Sequence, residues 1–358
     1  VLYGIIAATA ALLLAAVLAV LLRVPALRAG ITDRQCRRPL PLLGGAAVVL
    51  ATGLVAAVGE WTQVAPLGDG VGRLLVAGCA VAALGLVADV WRLRARVLVA
   101  GTAVAAACVV PYEETGVAAG ILAVGWIVLT ALAFRALDHA DGLAGTVGVV
   151  TAFGVALCAA AEVMDGLAVL LSVFAAALTG FLMHNWHPAR VGLGACGSLF
   201  TGFLLASAAV FTRAGYGIGA GAGVLFALTA VASADVLLVV LSRLIARRPL
   251  LLRGGPDHLA HRLRRLGLTP QGAAVLLGLG SFSTVLVAVL AHTGWAGGAA
   301  LYWVGAGTLV VVLLLLRVPV YGPRRDVRRG VRRVDVPRAR GRRIASVQAG
   351  GRLRVRNG

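Results

Sequence analysis

Two aspartates three residues apart, Asp138 and Asp141, stand ahead of an apolar run in Asp138-His139-Ala140-Asp141-Gly142-Leu143-Ala144-Gly145. If the segment is helical, both carboxylates face one way. They could hold Mg2+, position a phosphate ester through it, or take a proton. An aspartate before an apolar run is equally a helix start signal. A second segment, Asn185-Trp186-His187-Pro188-Ala189-Arg190 through Ser198, is a Gly-rich turn leading into another apolar run. Backbone N–H groups at a helix start can cradle phosphate oxygens, and Arg190 could pair with a diphosphate. It reads equally as a plain interfacial turn.

A third segment runs from Arg253 to Leu263 and carries His258 and His261. At that spacing the two imidazoles share a helix face. They could contact phosphates, act as acid or base, or bind a metal. Two histidines without a third ligand are a weak zinc signal, and a solvated amphipathic helix explains them too. Asp89 precedes an Arg-rich stretch and Asp235 lies eight residues before Arg243, so each could simply neutralise an arginine.

The elements that must position these residues follow from composition. Of 358 residues, 60% are hydrophobic and 13% charged, about half the charged share of an ordinary soluble domain. That excludes a soluble enzyme, a secreted domain and a disordered chain, and leaves an all-α polytopic membrane protein. A bilayer core takes about 20 apolar residues per helix. Eleven runs qualify, near 1–22, 43–60, 71–90, 97–112, 117–134, 143–161, 166–184, 197–212, 217–245, 271–292 and 296–316, the fourth and eighth being short. The first is too long for a signal-peptide core and has no basic residue before it.

Positive charge sets the orientation. All 33 basic residues are Arg, and 31 of them fall on one set of alternating loops and the C-terminal segment, leaving Arg73 and Arg213 opposite. Glu60, Asp69, Glu113, Glu114, Glu162 and Asp165 lie on that opposite side. The expected topology is about 11 spans with the N-terminus outside and the C-terminus cytoplasmic. The net charge of +19 is then a topology signal rather than a nucleic-acid footprint. Residues 1–317 read as the transmembrane domain, and 318–358 as an Arg-rich, disordered cytoplasmic tail that anchors the inner side or meets anionic lipid. The five Cys show no metal or disulfide pattern.

Together and in this order, the segments resemble the bacterial polyprenyl-phosphate N-acetylhexosamine-1-phosphate transferases, over about residues 1–292. The family's Pro-rich approach to a Gly pair matches Arg38 through Gly45, and its Asp-Asp pair matches Ala88-Asp89. Its Asn-Ala-x-Asn-x-x-Asp-x-x-Asp-Gly-Leu-Ala motif matches Leu132 through Ala144. Its Pro-Ala-Arg-x-x-x-Gly-Asp-x-Gly-Ser motif matches Pro188 through Ser198. Its Asp-Thr with a following Arg matches Asp235-Val236 and Arg243, and its His-Leu-His-His-Arg-Leu motif matches His258 through Leu263.

The resemblance implies a multi-pass protein of the bacterial plasma membrane, in cell-wall or surface-glycan synthesis. It implies Mg2+ as cofactor, and polyprenyl phosphate and a UDP-N-acetylhexosamine as partners, and it is compatible with a homodimer. It implies Asp89, Asp138 and Asp141 as catalytic residues, with Asp138 and Asp141 at the metal. Asn185, Arg190, His258 and His261 would contact substrate.

The departures are equally specific. Ala88 and Ala195 stand where the family has Asp, Leu132 and Arg135 where it has Asn, and Ala260 where it has His. Alanine neither binds metal nor moves a proton. Two readings therefore stand: a transferase with a remodelled site, or a catalytically silent homologue kept for lipid-phosphate binding, regulation or scaffolding. A transporter is disfavoured, because no paired half-helix signature is visible.

Overall fold

In hydrocarbon a backbone must satisfy its own polar groups, so long apolar runs fold as helices. A computed structural model describes residues 2–33, 40–91, 93–249 and 255–320. The tail expectation, from residue 321 on, lies outside the described residues, as do Arg38, Pro39, Arg92 and Arg253. The chain begins with α1 (Leu2–Arg28) and a two-residue antiparallel pairing of β1 (Thr32–Asp33) with β2 (Leu40–Pro41). It continues through α2 (Gly44–Trp61), α3 (Gly68–Trp91), α4 (Ala95–Val109), α5 (Tyr112–Thr115), α6 (Val117–Leu137) and α7 (Leu143–Ala161). Then follow α8 (Asp165–Asn185), α9 (Gly194–Phe211), α10 (Ile218–Leu228), α11 (Ala230–Ile245), α12 (Leu259–Arg265), α13 (Pro270–His292) and α14 (Ala299–Leu316).

The protein is an all-α polytopic membrane protein. Every one of the eleven apolar runs falls on helix, but two differ from the expectation. Among the described residues nine helices are long and apolar enough to cross a bilayer, or ten if one bent pair counts as a span. The fourth run gives only the 15-residue α4, roughly 22 Å long at 1.5 Å per residue. The ninth run breaks at Thr229 into α10 and α11, whose axes differ by 82°. A broken span was not visible in the sequence. The Thr151 hydroxyl of α7 donates to the Leu228 carbonyl at the break, 3.2 Å away, and the Thr229 hydroxyl donates to Leu225 O at 2.9 Å. Both bonds occupy carbonyls at the interruption, as a kink inside a bilayer requires.

The eighth run, expected to be short, forms the most enclosed helix. Along α9, 94% of the spanning window is buried, against α2, α3, α6 and α7. Small residues permit that closeness. A Cβ on Gly202 would lie 2.6 Å from the Ala131 Cα of α6, so only glycine fits. Its hydroxyls stay within the helix, Ser198 Oγ donating to Gly194 O and Thr201 Oγ1 to Gly197 O. Phe174 of α8 meets Phe200 edge-to-face at 5.5 Å. Helices α1 and α14 lie at the edge, 22% and 11% buried.

The helix ends divide the polar residues. At one end the C-termini of α3, α6, α8 and α11 meet the starts of α7, α9 and α12. The other holds Glu162, Arg213, Tyr216 and His292. There Tyr216 donates to Glu162 Oε1 at 2.6 Å and Arg213 lies 3.7 Å over the Tyr216 ring. The Glu162 hydrogen bond raises the Tyr216 phenol above its ordinary pKa.

Candidate functional site

Asp89 ends α3 beside the first turn of α9. Its Oδ1 accepts from Ala195 N at 3.0 Å and its Oδ2 from Cys196 N at 3.1 Å. Helix starts leave such N–H groups unpaired and carry partial positive charge, so a carboxylate suits the place. Gly194 enters this turn with φ +68, and a Cβ there would stand 2.7 Å from Asp89 Oδ2. The site thus needs glycine for both backbone and room.

Asp138 caps the C-terminus of α6 and also accepts from the Gly194 backbone. Burial, then the neighbouring charge of Asp89, pushes its carboxyl well above the usual carboxylate range, while Arg135 opposes that shift. Asp89 and Asp138 therefore converge on the start of α9, next to Ala195, which is 3% exposed.

The expectation that Asp138 and Asp141 share a helix face is overturned. Residues 138–142 form a turn, and Gly142 enters α7 in the left-handed region at φ 72. The turn sends the two carboxylates to different partners. Asp141 Oδ2 lies 2.7 Å from His187 Nδ1 and accepts from Ala189 N at 3.2 Å. Asn185, expected to contact substrate, has both ends of its amide occupied by the protein itself. Its Oδ1 accepts from Gly142 N at 3.0 Å and its Nδ2 donates to Val191 O at 2.8 Å. Buried at 4% exposure, it clamps the 138–142 turn to the turn before α9. Arg190 is exposed beside it.

The two histidines also part. α12 starts at Leu259, so His258 is its N-cap and lies outside the helix. His258 is buried, with Nδ1 2.8 Å from Asp235 Oδ2, and Leu259 N donates to Asp235 Oδ1 at 2.7 Å. Asp235 thus serves His258 and α12 rather than neutralising Arg243. Arg243 instead donates through Nε to Asp257 Oδ2 at 2.6 Å, in a buried pair. Arg262, 1% exposed, donates to Ser242 Oγ and to the carbonyls of Leu315 and Val318. It ties α12 to α11 and to the C-terminal end of α14. His261 is half-buried and lines a cavity of about 640 Å³ with Pro256, Arg264 and Arg265. Burial, then His258 and Arg264, holds its imidazole below its usual pKa.

His139 is the member that sequence reasoning missed. Its ring stacks on His258 at 4.1 Å between centroids and lies 4.9 Å from that of His261. Its Nδ1 is 2.7 Å from Ala136 O. Burial, then His258, takes its pKa down to about 3. The signal was a histidine between two aspartates, but its partners are more than a hundred residues away in sequence.

Mg2+ takes oxygen ligands, and one or two carboxylates with water and substrate phosphates suffice. Asp138 fits that set: a buried carboxylate raised by a second carboxylate is a group that a divalent cation would relieve. Asp89 supplies that second charge, although both of its oxygens already accept N–H groups. Asp141 is engaged by His187 and the Ala189 backbone.

The sequence profile of glycosyl transferase family 4 matches residues 72–213, which span Asp89, Asp138, Asp141, Asn185 and Arg190. A presumptive glycosyltransferase of Streptomyces coelicolor is 66% identical over 334 residues, covering 92% of this chain and 81% of its own. The decaprenyl-phosphate N-acetylglucosaminephosphotransferase of Mycobacterium tuberculosis is 31% identical over 67% of this chain and 69% of its own. An undecaprenyl-phosphate N-acetylglucosaminyl 1-phosphate transferase assigned in Bacillus subtilis is 24% identical over 82% and 84%. With these relatives, and with carboxylates gathered at the start of α9, the chain belongs to glycosyl transferase family 4, among the polyprenyl-phosphate sugar-1-phosphate transferases.

Proposed function

We propose that the protein moves an N-acetylhexosamine 1-phosphate from a UDP-sugar to polyprenyl phosphate at the cytoplasmic face of a bacterial plasma membrane. A phosphate oxygen of the lipid attacks the β-phosphorus of the UDP-sugar. The bond from that phosphorus to the bridging oxygen breaks, UMP leaves, and a lipid-linked diphospho-sugar forms. The relatives' names make N-acetylglucosamine the first sugar to test.

The observation that carries this reading is the convergence of Asp89 and Asp138 on the first turn of α9. Phosphoryl transfer is catalysed mainly by positioning and charge neutralisation. Bound Mg2+, held by Asp138 with Asp89 beside it, would offset the charge on the transferring phosphoryl group. Asp89 fixes the N-terminus of α9. The Asp141–His187 contact holds the turn that presents Arg190 to the diphosphate. His261, with Arg264 and Arg265, lines a pocket of suitable charge for the nucleotide phosphates. His258, buried on Asp235, positions α12 rather than touching substrate.

One observation favours the silent reading. Ala195 occupies the family's Asp position beside Asp89, leaving the metal one ligand short. The deciding experiment is a turnover assay on protein in detergent, with polyprenyl phosphate, Mg2+ and labelled UDP-N-acetylhexosamines. EDTA-sensitive label in the lipid extract supports the transferase. No label, with turnover gained by an Ala88→Asp/Ala195→Asp variant, establishes a fold kept for a non-catalytic task.

A further inference from the structure

The third ligand that the His258/His261 pair lacked in sequence is supplied by the fold. His139 from the turn after α6, Asp235 from α11 and His258 from the start of α12 each offer a donor atom within 4.8 Å of the others. Three separate segments thus meet at one point.

The His139 tautomer follows from its neighbour. Ala136 O can only accept, so Nδ1, 2.7 Å away, carries the proton. Nε2 then bears the lone pair, is buried, and has no hydrogen-bond partner. A buried acceptor without a donor is uncommon and calls for a water or an ion. A carbonyl bonded to the far nitrogen is also the usual arrangement behind a metal-bound histidine. Asp235 is 0% exposed and bonds to Leu259 N and His258 Nδ1. No arginine contacts it among the described residues. A carboxylate this buried is costly to leave charged, and a cation among its two histidine neighbours offsets that cost.

We propose that His139, Asp235 and His258 bind a zinc-class divalent transition ion. Two imidazoles and one carboxylate are a donor set for zinc or cobalt, whereas Mg2+ prefers oxygen alone. Ligands about 2.0–2.2 Å from zinc in a tetrahedron stand about 3.4 Å apart. Closure therefore requires the stacked rings of His139 and His258 to turn until both lone pairs converge. His261 or a water completes the shell. The ion would staple the 138–142 turn to α11 and α12. It is separate from the Mg2+ of the proposed transfer and does not depend on turnover.

The test uses the full chain in detergent, without a histidine tag, stripped by chelator and titrated with Co2+. The proposal expects visible d–d absorption saturating at one cobalt per chain, displaced by Zn2+ and untouched by millimolar Mg2+. Zn2+ should also raise the melting temperature. In His139→Leu, which keeps a side chain of similar bulk, affinity should fall roughly tenfold or more and the zinc-induced shift should vanish. Asp235→Asn should behave alike. If Asp235→Asn does not fold, His258→Gln takes its place. Absence of cobalt absorption, or absorption unchanged in His139→Leu, overturns the site. The lipid-label assay is read separately, so a failed metal site leaves the transferase reading untouched.

Discussion

The carboxylate of Asp89 holds the backbone of Ala195, Oδ1 to N at 3.0 Å, with the second oxygen on Cys196. A residue that ends one membrane helix thereby caps the start of the most buried one. Asp89→Ala leaves those N–H groups without their carboxylate. Loss of such a cap costs about 1–2 kcal/mol, and turnover should fall roughly a hundredfold or more. Asp89→Asn keeps one acceptor and should be intermediate in melting temperature. Thermal unfolding in detergent with the lipid-label assay checks both.

Asp138→Asn separates stability from chemistry. The folded pKa of Asp138 is raised by burial and Asp89. An acid raised in the folded state destabilises the fold as pH climbs past its unfolded value. In EDTA at neutral pH the Asn variant should therefore melt a few degrees higher, about 2–4 °C, while losing turnover. Near pH about 3, where the unfolded carboxyl is largely protonated, the gain should vanish. An Asn variant that melts lower at neutral pH would show that Asp138 is paired rather than strained.

Asn185→Leu should loosen two loops at once. It leaves Gly142 N and Val191 O without their side-chain partner, at about 1–3 kcal/mol for each buried group. Turnover should drop with it. Asn185→Asp can accept from Gly142 but cannot donate to Val191, so partial recovery is expected. Full turnover in Asn185→Leu would remove the clamp from the account.

The Arg243–Asp257 pair is fully enclosed. Arg243→Met should cost about 3–5 kcal/mol, since it removes the guanidinium from a buried carboxylate. Adding Asp257→Leu should return much of that loss. A double-mutant cycle on melting temperature, with limited proteolysis between α11 and α12, measures the coupling.

Helices were legible because a bilayer leaves a long apolar run few other conformations. The Gly44-Gly45 pair was legible as the opening of the second span, and the structure shows why it matters. Their N–H groups donate to Gly192 O and Leu193 O, joining α2 to the turn before α9. The break at Thr229 was hidden, because its flanks are as apolar as any span and Thr151 lies far away in sequence. Spacing alone could place Asp138 and Asp141 on one face only by assuming helix, and the left-handed Gly142 removed that assumption. Asp235 near Arg243 in sequence suggested a pair. The fold instead gave each a different partner, because α12 folds back with its own Asp257 and His258. Pair identities depend on returns of the chain that local pattern does not contain.

The enclosure of α9 also bears on how the protein is made. Most of the helices that wall it in, α2, α3, α4, α6 and α7, leave the ribosome before it does. Those earlier segments must gather around a slot whose occupant has not yet been synthesised. The walls of that slot include small residues such as Ala131, which α9 covers completely in the finished protein. Insertion of α9 fills that slot, and it brings the backbone N–H donors for Asp89 and Asp138 into place in the same step. Assembly of the bundle and assembly of the site are one event.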